Sequence, residues 1–499
     1  MKRLLMGAAT LALAAPFGAL TADNADVDEV KRLIEEMKAE HEEKIRELEQ
    51  RLQAAEQTVQ QTTDERDADR RTGTATARPN AEAPGTITSG IAFNPQISVI
   101  LDGNFYHDDI DGQGTELLRM ADGISHAHGG HDHGGHDHGG AEQGFNLREV
   151  EIAFSATVDP YFDATAYLAV DGDGDVGLEE AWFQTRSLPY GLKVKGGKFF
   201  SDIGYINNQH PHQWDFTDQN LAYINLFGEA VLVDTGVQLT WLPAWGHYTL
   251  FGTEILQGNQ EQFGARAEVD ETLEDELVDV GLSADALNLY DKSDVPSLYT
   301  AFAKYSPDLG FNHALQLGLW GAYADQHQEI HGDPEDGNLH TLQGDAWMWG
   351  LDSVYKYDAG RRHGTGSFKL QAEYLWQLKD LNLRFHQARP EQVGAERKFT
   401  EDAIYIQGVY GIAPRWQVGL RYDNVGLTTN KLESGGNTLR EWDTSDRWTA
   451  ALTWTPTEFS RLRLQYSRAD ISIDGNREKF DYVYLQFLMS LGTHGAHKF

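Results

Sequence analysis

The feature that most restricts the fold of this chain is a two-residue alternation running from Ile91 to Phe499. Trp448, Ala450, Leu452 and Trp454 share one parity, and Thr449, Ala451 and Thr453 the other. Leu462, Leu464 and Tyr466 alternate with Arg463, Gln465 and Ser467. Trp416, Val418, Leu420 and Tyr422 alternate with Gln417, Gly419 and Arg421. Leu370, Ala372, Tyr374 and Trp376 alternate with Gln371, Glu373 and Gln377. Successive side chains of an extended chain point to opposite faces, so each segment predicts a strand with one apolar and one polar face.

The connections narrow this further. Tight turns fall at Asp159-Pro-Tyr, Leu188-Pro-Tyr-Gly, Leu242-Pro-Ala-Trp, Pro307-Asp-Leu-Gly, Asp358-Ala-Gly, Ala413-Pro-Arg and Thr455-Pro-Thr-Glu. Between them lie longer polar stretches, roughly at 107–143, 171–176, 201–229, 258–295, 325–345, 381–398, 426–443 and 471–478. Seven turns alternating with eight loops predict sixteen strands. Strict alternation of short and long connections, with an even strand number, is the plan of a transmembrane β-barrel. A mean hydropathy of −0.50 is compatible with that plan, because only one face of each strand meets lipid. Val483, Leu485, Phe487, Met489 and Leu491 share the parity of the terminal Phe499, although the polar Thr493-His-Gly-Ala-His-Lys ends the last strand near Leu491.

The expected organisation has four parts. Lys2 and Arg3 precede the apolar Leu4–Leu13, too short to span a bilayer as a helix, so residues 1–22 read as a signal peptide. Residues 23–62 read as a periplasmic coiled coil. Its seam runs through Val27, Val30, Ile34, Met37, His41, Ile45, Leu48, Leu52, Ala55 and Val59, in steps of three and four. His41 is a packing residue on that seam. Residues 63–90 are polar, with Pro and Gly, and read as a flexible linker. The barrel fills 91–499. The fold class is therefore an all-β transmembrane barrel of about sixteen antiparallel strands behind an N-terminal α-helical coiled coil, placed in the bacterial outer membrane.

Gly177-Leu-Glu-Glu-Ala-Trp-Phe-Gln, Gly191-Leu-Lys-Val-Lys-Gly-Gly-Lys-Phe-Phe, the long loop after it and Thr235-Gly-Val-Gln-Leu resemble the phosphate-selective porin family. The resemblance implies a homotrimer, passive diffusion through the barrel, and a third loop folded inward over 201–229. The charge departs from that family's expected anion preference. The chain has a formal net charge of −36, and its third loop has no Lys or Arg from Ser201 to Asp218. Lys193, Lys195, Lys198, Arg421 and Arg463 are the candidate wall cations, with Glu373 a wall anion. So acidic a chain attracts cations and gives no basic footprint for nucleic acid.

Chemistry is most visible in the histidines. His126, His128, His131, His133, His136 and His138 alternate with Gly pairs, Asp132 and Asp137 in the first loop, 107–143. Neutral imidazoles at this density bind zinc or other divalent metal ions. His210-Pro-His212, with Asp215 and Asp218, forms a second candidate metal set in the third loop. His327, His331 and His340 belong by this count to the fifth loop. Asp171-Gly-Asp-Gly-Asp175 opens like a calcium loop, but Trp182 occupies the position of the closing Glu. There is no pattern of nucleophile and base, so the chain does not read as an enzyme, and no cofactor is required.

The leading expectation is a passive outer-membrane channel specialised for divalent metal, zinc foremost. Three others stand beside it. One is an anion (phosphate-like) porin with an incidental histidine loop. Another is a tether reaching peptidoglycan through the coiled coil. The third, a TonB-dependent metal receptor, needs about 22 strands and a globular plug, for which 23–90 offers only a coiled coil. Lipid and lipopolysaccharide are the expected surroundings, and no cysteine is present.

Overall fold

The computed structural model describes residues 95–121, 141–172, 174–228, 231–258, 260, 262–290, 295–473 and 475–492. The signal peptide, coiled coil, linker, histidine-rich tract 126–138 and terminal Phe499 lie outside the described residues.

The strands are β1 (Gln96–Asp108), β2 (Gly144–Thr157), β3 (Phe162–Val170), β4 (Val176–Thr185), β5 (Leu192–Phe200) and β6 (Val233–Trp241). They continue with β7 (Tyr248–Leu256), β8 (Leu298–Ser306), β9 (His313–His331), β10 (His340–Tyr357), β11 (Phe368–His386) and β12 (Glu396–Ala413). The last are β13 (Trp416–Ser434), β14 (Asn437–Glu441), β15 (Ser445–Thr457), β16 (Ser460–Ile473) and β17 (Asn476–Gly492). Apart from β14, each strand pairs antiparallel with its neighbours along the chain, and β1 pairs with β17 from Ser98↔Gly492 to Asp108↔Tyr482, which closes the sheet. β14 is a short flap on β13, while β13 pairs directly with β15. Sixteen strands therefore form the wall, as the turn count predicts.

The alternation sorts the faces as expected. Leu464, Leu420, Trp448 and Met489 are exposed on the outside, whereas Gln465, Arg421, Thr449 and Gln486 are buried inside. An apolar exterior around a polar interior is stable in lipid, and the β1–β17 pairing leaves the barrel wall without an open edge among the described residues. Aromatic side chains gather at the end of the short turns. Trp416 stacks on Trp454 with ring centroids 5.8 Å apart, and Trp241 lies 5.5 Å from Trp245 and 5.7 Å from Phe251. Such girdles sit at the membrane interface. Among the described residues no helix is long and apolar enough to cross a membrane. The chain is thus a transmembrane barrel of outer-membrane type.

Strand lengths correct several loop boundaries. β3 to β8 have 9 or 10 residues, the length a tilted strand needs to span a bilayer. β9 to β13 have 18 or 19 and run beyond it. The expected loops at 325–345, 381–398 and 426–443 shrink to 332–339, 387–395 and the β13–β15 connection that carries β14. Above the membrane a strand meets water on its outer face, so the apolar alternation that marks it in sequence disappears. His327 and His331 accordingly lie on β9 and His340 opens β10, not in a loop.

Among the described residues three α-helices lie in the long loops: α1 (Gly114–Arg119), α2 (Leu221–Phe227) and α3 (Glu271–Asp279). α2 is the one that matters inside the barrel. Its N-cap is Asn220, whose side-chain oxygen accepts from Tyr223 N at 3.0 Å. Six of its seven residues are buried, so it is a packed element and not a surface turn.

Candidate functional site

The third loop, L3, runs from Ser201 to Leu232 between β5 and β6. It leaves the wall at Ser201, whose hydroxyl donates to Glu254 on β7 at 2.5 Å. It then crosses to the opposite wall. Glu373 on β11 accepts from Tyr205 N at 3.2 Å, Ile206 N at 2.9 Å and the Tyr223 hydroxyl at 3.0 Å, and also from the Tyr405 hydroxyl. Gly204, directly before, has φ +57°, and a Cβ there would collide with Glu373 and Tyr223. Residues with a side chain rarely adopt that left-handed conformation, whereas glycine does so freely.

Asp215 and Asp218 complete the crossing. Asp215 accepts from Lys369 Nζ at 2.8 Å and Gln407 Nε2 at 2.9 Å. Asp218 accepts from Arg421 Nη2 at 2.7 Å, Arg447 Nη1 at 3.0 Å, the Tyr482 hydroxyl at 2.7 Å and Gln465 Nε2 at 2.7 Å. Burial alone would raise the pKa of Asp218. The guanidiniums of Arg447 and Arg421 outweigh it and hold the carboxyl well below the usual range. The structure therefore places these two aspartates on wall cations, away from the histidines with which the sequence grouped them.

The expected wall charges fall into the same frame. Arg421 lies 4.7 Å over the Phe216 ring, and Arg463 donates to the Trp214 carbonyl at 2.9 Å. Lys195 approaches Asp202 at 3.4 Å. Lys193 is exposed, in register with the inward Thr240. Lys198 donates instead to the Leu178 carbonyl at 2.6 Å, on the exposed side. Around these polar anchors Ile203, Ile206, Leu221, Tyr223, Leu226 and Phe227 of L3 pack with Leu375, Tyr405, Val425 and Tyr484 of the wall.

His210 and His212 do come together, against the near wall. Pro211 favours an extended residue before it and starts a one-turn 3₁₀ helix, Pro211–Gln213; His210 has ψ 152°. The two rings lie 5.7 Å apart at 21°. Both Nδ1 atoms approach one oxygen, Glu151 Oε2 on β2, at 3.2 Å from His210 and 3.1 Å from His212. His210 Nδ1 is also 3.4 Å from Glu179 Oε2, and its Nε2 is 3.1 Å from Glu180 Oε2. The His210 ring lies between Tyr167 and Phe200, with centroids 4.3 and 4.7 Å away. Burial alone would lower the basicity of His210, but the carboxylates, Glu151 foremost, raise it well above the ordinary range. Burial lowers that of His212.

Sequence reasoning missed the carboxylates. Glu149 and Glu151 were legible as successive positions on the polar face of β2. Glu179 was not, because adjacent strand residues should face opposite ways. On β3, Tyr167 opposes Glu180 and Leu168 opposes Leu178, so Glu179 is the extra residue of a β-bulge. The bulge lets both Glu179 and Glu180 turn inward, where they are 8% and 6% exposed.

His327, His331 and Glu329 form a different group. Glu329 meets His327 at 2.7 Å, His331 at 2.8 Å and also Lys379, which makes an ion-pair network high on the wall.

No protein-family model matches the sequence. Solved structures with a similar outline include the outer-membrane channel DcaP of Acinetobacter baumannii. It has 12% identity and a TM-score of 0.45, covering 82% of this chain and 100% of that one. An anion-selective porin from Comamonas acidovorans has 10% identity and a TM-score of 0.44, covering 80% and 100%. Outer-membrane-expressed OmpT of Vibrio cholerae has 11% identity and a TM-score of 0.44, covering 81% and 100%. The barrel is established by this chain's own strand pairing. In sequence, an uncharacterized protein of Aquifex aeolicus (strain VF5) is 33% identical over 414 residues, spanning 82% of this chain and 80% of the relative. At that identity and coverage, the chain belongs to the same family as the Aquifex aeolicus protein.

Proposed function

We propose that the protein is an outer-membrane channel of porin type that passes small cationic solutes, with divalent metal, zinc foremost, as its specialised cargo. The observation that carries this reading is an acidic barrel interior crossed by L3. Among the described residues, the buried polar set holds fourteen Asp and Glu but six Lys and Arg. A low-dielectric wall lined by one sign of charge concentrates the opposite ion. The six histidines of 126–138, with Asp132 and Asp137, would gather metal in the first loop and feed that interior. The acidic excess weighs against an anion preference, and sixteen strands against an energy-coupled receptor.

In this reading the protein works as a homotrimer, for which the heptad seam of 23–62 is the support, and the same coiled coil reaches toward peptidoglycan. Lipid and lipopolysaccharide surround the wall, and no cofactor takes part in permeation. Planar-bilayer recording under a potassium chloride gradient tests the channel. The expected reversal potential has the sign of cation preference, and zinc modulates the current. A reversal potential of the opposite sign, unaffected by zinc, overturns the proposal. Deleting 126–138 should slow growth under zinc limitation while the barrel still assembles.

A further inference from the structure

We propose that the seam between L3 and the near wall is a resident divalent-metal site: His210 Nδ1, Glu151 Oε2 and Glu179 Oε2 hold the ion, and His212 with Glu149 forms an overlapping set that shares Glu151. The ion here is a staple for L3, not cargo, so the inference is independent of what the channel passes.

The donor chemistry fits. Each set offers one imidazole and two carboxylates, with its donor atoms all within 4.8 Å of one another. Donors about 2.0–2.2 Å from a tetrahedral ion stand about 3.3–3.6 Å from one another. The spacings seen are 3.2 Å and 3.4 Å around His210, and 3.1 Å between His212 and Glu151. Mixed nitrogen and oxygen donors without thiolate suit zinc and its first-row neighbours.

The second observation is a buried, unsatisfied pair of donor atoms at the centre of the cluster. His210 is 4% exposed and Glu151 1%, yet His210 Nδ1 and Glu151 Oε2 make no bond of hydrogen-bonding geometry despite lying 3.2 Å apart. A metal ion between these two buried atoms would satisfy both of them. The far nitrogen of the same ring, Nε2, meets Glu180 Oε2 at 3.1 Å. An imidazole that offers one nitrogen to a metal characteristically gives the other to a carboxylate, which fixes its tautomer and orientation. Charge points the same way. Glu149, Glu151, Glu179 and Glu180 are all buried, three of them against His210, and burying carboxylates together is costly unless a cation joins them. The bulge at Glu179 serves this arrangement, because without it either Glu179 or Glu180 would face lipid.

The test uses the full chain, folded in detergent, with His126, His128, His131, His133, His136 and His138 replaced by asparagine to remove the competing loop. Zinc content is measured after chelator treatment and dialysis into buffered zinc. One or two equivalents per chain, with a cobalt-substituted form showing the absorption of a low-symmetry site, support the proposal. In the same background Glu151→Gln and Glu179→Gln should each weaken zinc binding on the order of a hundredfold. Circular dichroism and heat-modifiable electrophoretic migration verify that each variant is folded. A folded loop variant that retains no zinc overturns the site, as does equal affinity in the folded Glu151→Gln chain. A chain that binds zinc here but conducts nothing would remove the channel reading and leave this one standing.

Discussion

Arg447 on β15 donates Nη1 to Asp218 of L3 at 3.0 Å, joining residues 229 positions apart. Its Nε donates to Asp423 Oδ2 at 2.7 Å, and the guanidinium is wholly buried. One cation therefore serves two carboxylates, one on the loop and one on the wall.

Removing that cation should be severe. Arg447→Met leaves Asp218 and Asp423 with Arg421 as their remaining cation, and losing one partner of a buried pair costs up to about 3–5 kcal/mol. Urea unfolding in lipid or detergent measures the loss, and limited proteolysis shows whether L3 detaches first. A change under about 1 kcal/mol, as for exposed pairs, would contradict the assigned anchor.

The same anchor sets an acid limit. The folded-state pKa of Asp218 is depressed below its unfolded value of about 3.9. Its contribution is fully present above that unfolded value and is lost as pH falls through the folded one. Protease resistance of L3 should thus stay flat from neutrality to about pH 4 and decline only in stronger acid. Asp218→Asn should remove that contribution and lower resistance at neutral pH. Equal resistance in both proteins at pH 7 would show that the carboxylate holds nothing.

Gly204 is a steric test of the crossing. Gly204→Ala places a methyl group against Glu373 and Tyr223 in a backbone conformation that alanine rarely adopts. A cost of about 1–3 kcal/mol is expected, with noisier single-channel current as L3 loosens. An unchanged melting temperature and a quiet current would place L3 elsewhere.

Facing can be checked at neighbouring residues. Leu464 is 49% exposed and Gln465 is fully buried. Leu464→Arg should cost about 2–4 kcal/mol if it lies near the bilayer midplane. Gln465→Leu should instead disturb L3, because it removes the acceptor for Thr217 N and a donor to Asp218. Folding titrations into lipid vesicles separate the two, and a neutral Leu464→Arg would mean that this face does not meet lipid.

Strand number and facing were legible because lipid imposes period two wherever it touches the wall. Strand ends were not, since β9 to β13 continue above the lipid, where that constraint lapses. Within the site, His210 and His212 were visible as a pair. Asp215 and Asp218 were grouped with them by proximity in sequence, yet their partners Lys369, Arg421 and Arg447 come from strands far along the chain. Glu179 was hidden by a single inserted residue, which inverts the facing that alternation assigns.

L3 also has a mechanical consequence. A hollow cylinder one strand thick can flatten into an ellipse without breaking a ladder bond. L3 is continuous with β5 and β6 and is bonded to β7, β11, β13 and β15, so it acts as a spoke that fixes the cross-section. Bore and stiffness are then one property. Any change that frees L3 to widen the passage also softens the hoop, and lateral pressure in the membrane becomes a variable that the bare wall alone could not resist.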